Sequence, residues 1–279
     1  MSNPDKHGSV MQVPITYGDV IDPADTEGLP AVALHAWGGT RMDFEGVAND
    51  LAVSAGRRII TVGFPSDKKL SVVSRANVLQ NLATRLELGP HSVIGHSMGG
   101  EDAVEYATRK QQLGVVHGIA SVVGSHDIRD RYLTGIVAAT TQVEFVNGRG
   151  LNKYVALLGQ LAEGNEAILD YAHHIGAFTA TERSAYHYAA TDSVKRAKSK
   201  QGGRSRELGS FMAFSGVKTF IRGEYESVDY LPELEASDVE VITIPRANHF
   251  IHADNRPAYV AAIGSFMTKV DLHHNALRA

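Results

Sequence analysis

Apolar positions fall into short unbroken runs separated by stretches of helical spacing, which predicts a strand–helix alternation and a mostly parallel sheet. Residues 31–34 (AVAL) form the first run and end in His35-Ala36-Trp37-Gly38-Gly39-Thr40. Phe44, Val47 and Leu51 then recur at helical spacing, with Thr40 placed to cap that helix. A second buried strand is expected at 59–62, closed by Gly63-Phe64-Pro65. Val78, Leu79, Leu82 and Leu86 form one helical face that stops at Gly89-Pro90. A third strand at 92–94 enters Gly95-His96-Ser97-Met98-Gly99-Gly100, followed by a helix with Ala103, Val104 and Ala107 inward. The fourth strand is 118–123.

From 127 to about 214 the alternation stops. Val155, Leu158, Leu161, Ile168 and Tyr171 are spaced as buried helical faces. So long a stretch between strands implies a subdomain rather than a loop. Strands return at 217–221 and 239–244, and a last helix starts near Pro257 with Val260, Ile263, Met267 and Val270 inward. Residues 271–279 read as a frayed tail. The expected division is a core of 1–126 with 214–279, interrupted by a helical insertion at 127–213.

Composition narrows the chemistry. The 279 residues carry 27 basic and 31 acidic side chains, a formal charge of −4, so no nucleic-acid partner is expected. No cysteine is present, which removes disulfides and thiolate catalysis and suits a cytoplasmic protein. Residues 1–10 lack the apolar core of a secretory leader. No apolar run approaches the roughly 18 residues of a membrane span, so no membrane partner is expected either. Reactive groups must then be oxygen or nitrogen side chains.

Gly95-His96-Ser97-Met98-Gly99 fits G-x-S-x-G between a strand and a helix, the turn that lifts a serine hydroxyl clear of the backbone. Such a serine needs a base, and the base needs a carboxylate to orient it. In this type of site they follow in the order serine, acid, histidine. His249, in Arg246-Ala247-Asn248-His249-Phe250 after the last strand, is the base candidate, with His252 its neighbour. Glu226, in Gly223-Glu224-Tyr225-Glu226-Ser227, is the leading acid; Glu224 and Asp229 flank it, and Asp127 in Gly124-Ser125-His126-Asp127 is the alternative. Spacing leaves that choice open. Two N–H donors must hold the developing oxyanion, and Met98 and Trp37 occupy the positions that supply them.

These motifs together (HAWGGT, GHSMGG, GEYE and NHF) resemble the α/β-hydrolase superfamily over 29–124 and 217–267. The resemblance implies an α/β-hydrolase fold: an eight-stranded, mostly parallel sheet flanked by helices, with a helical cap inserted after the sixth strand. It puts the nucleophile on Ser97, the acid on Glu226, the base on His249, and the oxyanion donors on Trp37 and Met98. Three departures stand out. Ala36 replaces a usual glycine, the acid is Glu where Asp is commoner, and Glu101-Asp102 follow Gly100 where small apolar residues are usual. Two carboxylates in a first helical turn suit the macrodipole and need no other reason.

Substrate contacts are expected from His35, Tyr154, Tyr171, Tyr186 and Tyr188. Tyr154 and Tyr171 read equally well as packing residues. Adjacent His173 and His174 point apart on a helix, and no metal or cofactor is expected. The basic run Lys195, Arg196, Lys198, Lys200, Arg204 and Arg206 reads as a solvated segment, and Gly202-Gly203 within it suggest a hinge. The expectation is a serine hydrolase that cleaves an ester, lactone or related acyl bond of a small aromatic or polyketide-like molecule through an acyl-enzyme. The competing readings are a carbon–carbon bond hydrolase, a lyase or a cofactor-free oxygenase on the same fold, and a non-catalytic small-molecule receptor. The oligomeric state is open, a homodimer included.

Overall fold

Each strand expected from an apolar run is present in a computed structural model of the chain, which describes residues 16–20, 28–111, 114–127, 129, 131–162, 165–201 and 203–279. Residues 1–10, read above for a leader, and Gly202 of the suggested hinge lie outside that set. The strands are β1 (Thr16–Val20), β2 (Ala31–Leu34), β3 (Ile59–Gly63), β4 (His91–His96), β5 (Val116–Val122), a two-by-two hairpin of β6 (Lys200–Gln201) and β7 (Arg204–Ser205), then β8 (Val217–Gly223) and β9 (Glu240–Ile244).

The main sheet runs β1-β3-β2-β4-β5-β8-β9, seven strands among the described residues rather than the eight that the resemblance implied. All neighbours pair in parallel except β1, which runs antiparallel to β3. β1 (TYGDV) has no apolar run to announce it. The inner strands are buried on both faces and therefore read as continuous apolar runs. Side chains alternate between two cores. Val32, Leu34, Ile60 and Phe220 face one layer of helices; Ala31, Ala33, Ile59 and Ile221 face the other.

The helices are α1 (Met42–Ala55), α2 (Val72–Arg85), α3 (Met98–Gln111), α4 (Tyr132–Ala139), α5 (Gln142–Val146), α6 (Arg149–Ala162), α7 (Glu166–Gly176), α8 (Ala180–Lys198), α9 (Arg206–Ala213), α10 (Leu231–Glu235), α11 (Ile251–Asp254) and α12 (Arg256–Ala276). Thr40 does not cap α1. The helix starts two residues later, and Asp43 reaches back to accept from the Thr40 N–H at 3.2 Å. The expected frayed tail is mostly helix, because Asp271 near the end of α12 accepts from the Leu29 N–H at 3.1 Å and pairs with Arg57.

Between β5 and its sheet neighbour β8 the chain passes through α4 to α9. These helices carry their own apolar cluster, in which Phe145, Leu151, Tyr154, Leu158, Ile175 and Tyr186 pack around Trp37 and Met98 of the core. They are also tied to α3 by charge. Glu101 pairs with Arg131 and accepts from Ser193 Oγ at 2.8 Å; within the core, both oxygens of Asp102 accept from Nε of Arg75 on α2 at 2.8 Å. Helix-end electrostatics is thus the lesser part of why Glu101 and Asp102 are there. Both are buried, and a buried carboxylate without its arginine would cost several kcal/mol, about 3–5 by analogy with broken buried pairs. The basic run is anchored as well: Arg196 bridges Glu105 at 2.6 Å and Glu207 at 2.9 Å, and Arg204 pairs with Glu233 at 2.9 Å. Its lysines face solvent and Arg204 and Arg206 are about half exposed, so Arg196 is the member that is built into the structure.

Candidate active site

Parallel strands deliver their carboxyl ends to one edge of the sheet, the edge where open α/β sheets bind ligands. Trp37 follows β2, Ser97 follows β4, Glu226 follows β8 and His249 follows β9. Ser97 has φ +53°, a left-handed conformation that costs a non-glycine residue about 1–2 kcal/mol. The turn is held by Ser97 N–H donating to Val122 O at 2.8 Å and Gly100 N–H donating to Ser97 O at 2.9 Å. Glycine is required on both sides. A Cβ on Gly95 would lie 2.2 Å from Gly99 O, and one on Gly99 would lie 2.4 Å from Leu34 O.

His249 Nδ1 lies 2.9 Å from Glu226 Oε1. An ionised carboxylate only accepts, so Nδ1 carries the proton and neutral His249 keeps its lone pair on Nε2. Burial opposes the charge on Glu226, yet the facing His249 and Arg222 outweigh it and hold the carboxyl below its usual value. Burial likewise opposes the imidazolium, but the Glu226 charge and hydrogen bond, with Asp254 adding, raise His249 above its usual value. Both shifts favour the same ion pair. Asp127 is elsewhere: its Oδ1 accepts from Arg129 Nε at 2.7 Å and from the Arg129 N–H at 3.1 Å. Glu224 accepts from the Arg246 N–H.

Ser97, Glu226 and His249 line one cavity of about 380 Å³, within the range of small-molecule sites. Its walls also include Trp37, Leu158, Ile168, Tyr154, Tyr171, Phe220 and Phe250, with the polar residues Ser125, Arg129, Thr134 and Asp229. Met98 opens α3, so its N–H has no carbonyl partner within the helix, and the helix dipole is positive there. The expected substrate residues separate. Tyr154 and Tyr171 line this cavity; His35 and Tyr186 line a second one of about 180 Å³, which shares Ala36 and Trp37 with the first; Tyr188 is 40% exposed and lines neither. His252 is buried and pushed down to about 4 by that burial and by His249, so it stays neutral.

Several supporting residues carried no signal strong enough to single them out. His96 Nε2 donates to the His249 carbonyl at 2.8 Å, and Asp254 accepts from the Asn248 N–H at 2.7 Å; together they fix the loop that presents His249. His96 is the variable position of the elbow motif, which marks the serine and the glycines only. Val123, at φ +43°, is a β-branched residue in a left-handed conformation on the cavity wall, a conformation invisible in sequence. Among the described residues, no group of three or more His, Asp or Glu side chains is placed to hold a metal ion, and no helix is long and apolar enough to cross a membrane.

No protein-family model matches the chain. It is 25% identical over 91% of its length to the sn-1-specific diacylglycerol lipase ABHD11 of Danio rerio, covering 83% of that protein. Among solved structures it resembles a thermophilic esterase from Thermogutta terrifontis, with a TM-score of 0.68 and 17% identity over 93% of this chain and 94% of that one. It also resembles an AqdC variant described for ring-cleavage of the Pseudomonas quinolone signal, with a TM-score of 0.70 and 13% identity over 94% and 98%. What these structures share with the chain is its fold.

Proposed function

We propose that this chain, which has the α/β-hydrolase fold and belongs to that superfamily, is a serine hydrolase of esters, lactones or related acyl bonds. The observation that carries the reading is the His249–Glu226 hydrogen bond beside Ser97 in one cavity. Ser97 Oγ attacks the carbonyl carbon as its proton passes to His249 Nε2. The N–H groups of Trp37 and Met98 receive the oxyanion. The alcohol departs with the proton from His249, leaving an acyl-Ser97 ester. Water then gives a proton to His249 and attacks the acyl carbon, and Ser97 regains its proton as the acid leaves. Glu226 stays ionised throughout and steadies the imidazolium.

The inserted helices act in this reading as a cap over 127–213 that shapes the substrate pocket. Its aromatic walls suit an apolar or aromatic acyl group, a polyketide-like one included. The lining includes Arg129, but Asp127 and Glu233 neutralise that cation and Asp229 adds a carboxylate to the same lining, which favours an uncharged substrate. The likeness to a diacylglycerol lipase adds neutral glycerides to the candidates.

The test is labelling by a fluorophosphonate probe, alongside turnover of an ester, thioester, lactone and glyceride panel. Stoichiometric labelling that disappears in Ser97→Ala, with turnover of at least one panel member, is expected. Absent labelling together with oxygen uptake on a hydroxylated aromatic would replace hydrolysis by cofactor-free oxygenase chemistry. Absent labelling with binding alone would make the pocket a receptor.

A further inference from the structure

The loop after β2 turns on one peptide unit, the Ala36 carbonyl with the Trp37 N–H. Two donors hold its oxygen: His35 Nδ1 lies 2.6 Å from Ala36 O, and Gly39 N–H donates to the same atom at 3.0 Å. A carbonyl only accepts, so Nδ1 carries the His35 proton, and both lone pairs of the oxygen are taken. His35 Nε2 is left as an acceptor, and it receives the Phe64 N–H at 3.5 Å. The Phe64 ring meets the imidazole edge-on, with 5.9 Å between ring centres. Burial lowers His35 below its usual value, against the pull of the Ala36 hydrogen bond and the Asp43 charge, so near neutral pH the ring holds its single proton on Nδ1.

The other end of the same unit is free. In a trans peptide the N–H points opposite to the carbonyl, so the Trp37 N–H is directed away from the Ala36 oxygen and its two donors. It has no acceptor among the described residues. His35 lines the second cavity and not the first, whereas Ala36 and Trp37 line both. An oxygen bound toward His35 therefore leaves the N–H pointing toward the cavity that holds Ser97. Gly39 holds the oxygen through a turn that includes Gly38 at φ +73°, a residue with wide backbone freedom. The imidazole, anchored on the loop after β3, adds a hold from outside that turn.

We propose that His35 is a positioning residue: by donating from Nδ1 to the Ala36 oxygen it fixes the peptide unit whose Trp37 N–H receives the oxyanion. In this role it touches neither the substrate nor Ser97, and the substrate contact expected of it gives way to a hold on the backbone. A donor fixed in advance costs no reorganisation in the transition state; a peptide unit free to rotate does. This inference rests on the hydrolase reading above, which the labelling of Ser97 tests separately.

The experiment compares three substitutions. His35→Leu removes the donor, His35→Asn sets an amide nitrogen near the place of Nδ1, and His35→Gln sets one near the place of Nε2. Expected for His35→Leu is a fall in kcat of about tenfold on an ester from the panel, with KM within about twofold. A boronic acid that forms a tetrahedral adduct on Ser97 should bind more weakly by the same factor, and the acid product should bind as before. His35→Asn should recover kcat to within about threefold of the parent, whereas His35→Gln should stay with His35→Leu. The acid limb of the pH profile should coincide in the parent and His35→Asn, because His35 takes up no proton during turnover. An unchanged kcat in His35→Leu, or a loss carried by KM with boronate affinity retained, would overturn the positioning role. Where His35→Leu melts far below the parent, the two amides decide: His35→Asn no faster than His35→Gln overturns the proposal. Fluorophosphonate labelling of the parent at Ser97 alongside any of these results leaves the hydrolase reading standing. Absent labelling removes that reading and the positioning role with it.

Discussion

Ser97, Glu226 and His249 stand at the wall of a cavity, whereas Ser121, His126 and Asp127, likewise a serine, a histidine and a carboxylate, are buried at the end of β5. The second set has a close serine–histidine contact, 2.6 Å between Ser121 Oγ and His126 Nε2. It lacks everything else. Asp127 is turned to Arg129, no partner meets His126 Nδ1 among the described residues, and burial with Arg131 nearby pushes His126 down to about 3. An imidazole that cannot take a proton near neutrality is no base. In the first set Glu226 raises His249, and the strained turn presents the hydroxyl to open space. Chemistry follows the carboxylate and the access; a serine–histidine contact by itself does not make a site.

Substitution of the two serines gives the largest contrast. Ser97→Ala should lower kcat/KM for the best ester by about 10⁴-fold or more, the usual outcome of removing a triad nucleophile. Ser121→Ala should leave it within about twofold. Steady-state assays on purified, folded variants decide this, and a Ser97→Ala enzyme within tenfold of the parent would remove the basis of the comparison.

The two carboxylates separate next. Glu226→Gln should lower kcat by between about 10²- and 10⁴-fold, because the imidazolium loses its counter-charge and Nδ1–H its preferred acceptor. Asp127→Asn should change kcat by less than about threefold, since Arg129 retains Glu233 at 2.9 Å. A reversed order in the same assay would make Asp127 the working acid.

That choice shows where sequence stops being legible. The elbow is local: strand, two glycines that cannot bear a Cβ, serine and helix all lie between His91 and Gln111, and the strands beside it are apolar runs. The pairing of His249 with Glu226 spans 23 residues and depends on how the loops after β8 and β9 lean together, so the order of strands left Asp127 open. Glu101 and Asp102 were harder still. Their partners Arg131 and Arg75 lie 30 and 27 residues away, and a carboxylate in a first helical turn has a sufficient local explanation that hides the distant one. Arg196 misled for the same reason, because a basic run gives no sign of which of its members meets a buried glutamate. β1 lacked an apolar run, and among the described residues it pairs with β3 alone.

The pH profile sharpens the comparison further. His249 must be neutral to accept the Ser97 proton, and its raised value places the acid limb of kcat/KM above 6.5, with activity growing as pH rises through it. Burial and their histidine neighbours keep His96 well below 6.5 and His252 at about 4, and His126 lies at about 3, so none of them titrates in that window. Glu226→Gln removes the charge that raises His249, so the residual activity should show its limb at lower pH. A limb that stays in place would assign the titration to another group.

The smallest effect belongs to the buried set and concerns stability. Ser121→Ala removes one partner of a fully buried hydrogen bond and leaves His126 Nε2 unsatisfied, which costs about 1–3 kcal/mol. The loss should appear in denaturant unfolding as a lower midpoint with an unchanged slope, since no surface is newly exposed in the folded state. Ser121 Oγ would lie 3.0 Å from a Cβ on Gly100, in the first turn of the helix that Met98 opens, so its packing also backs the elbow. An activity loss of tenfold or more in this variant, at pH 8 and well below its melting temperature, would mean that the interior set tunes Ser97 through that packing. Unchanged turnover with reduced stability would leave the two sets divided as argued: one serves reaction, the other holds the end of β5 in place.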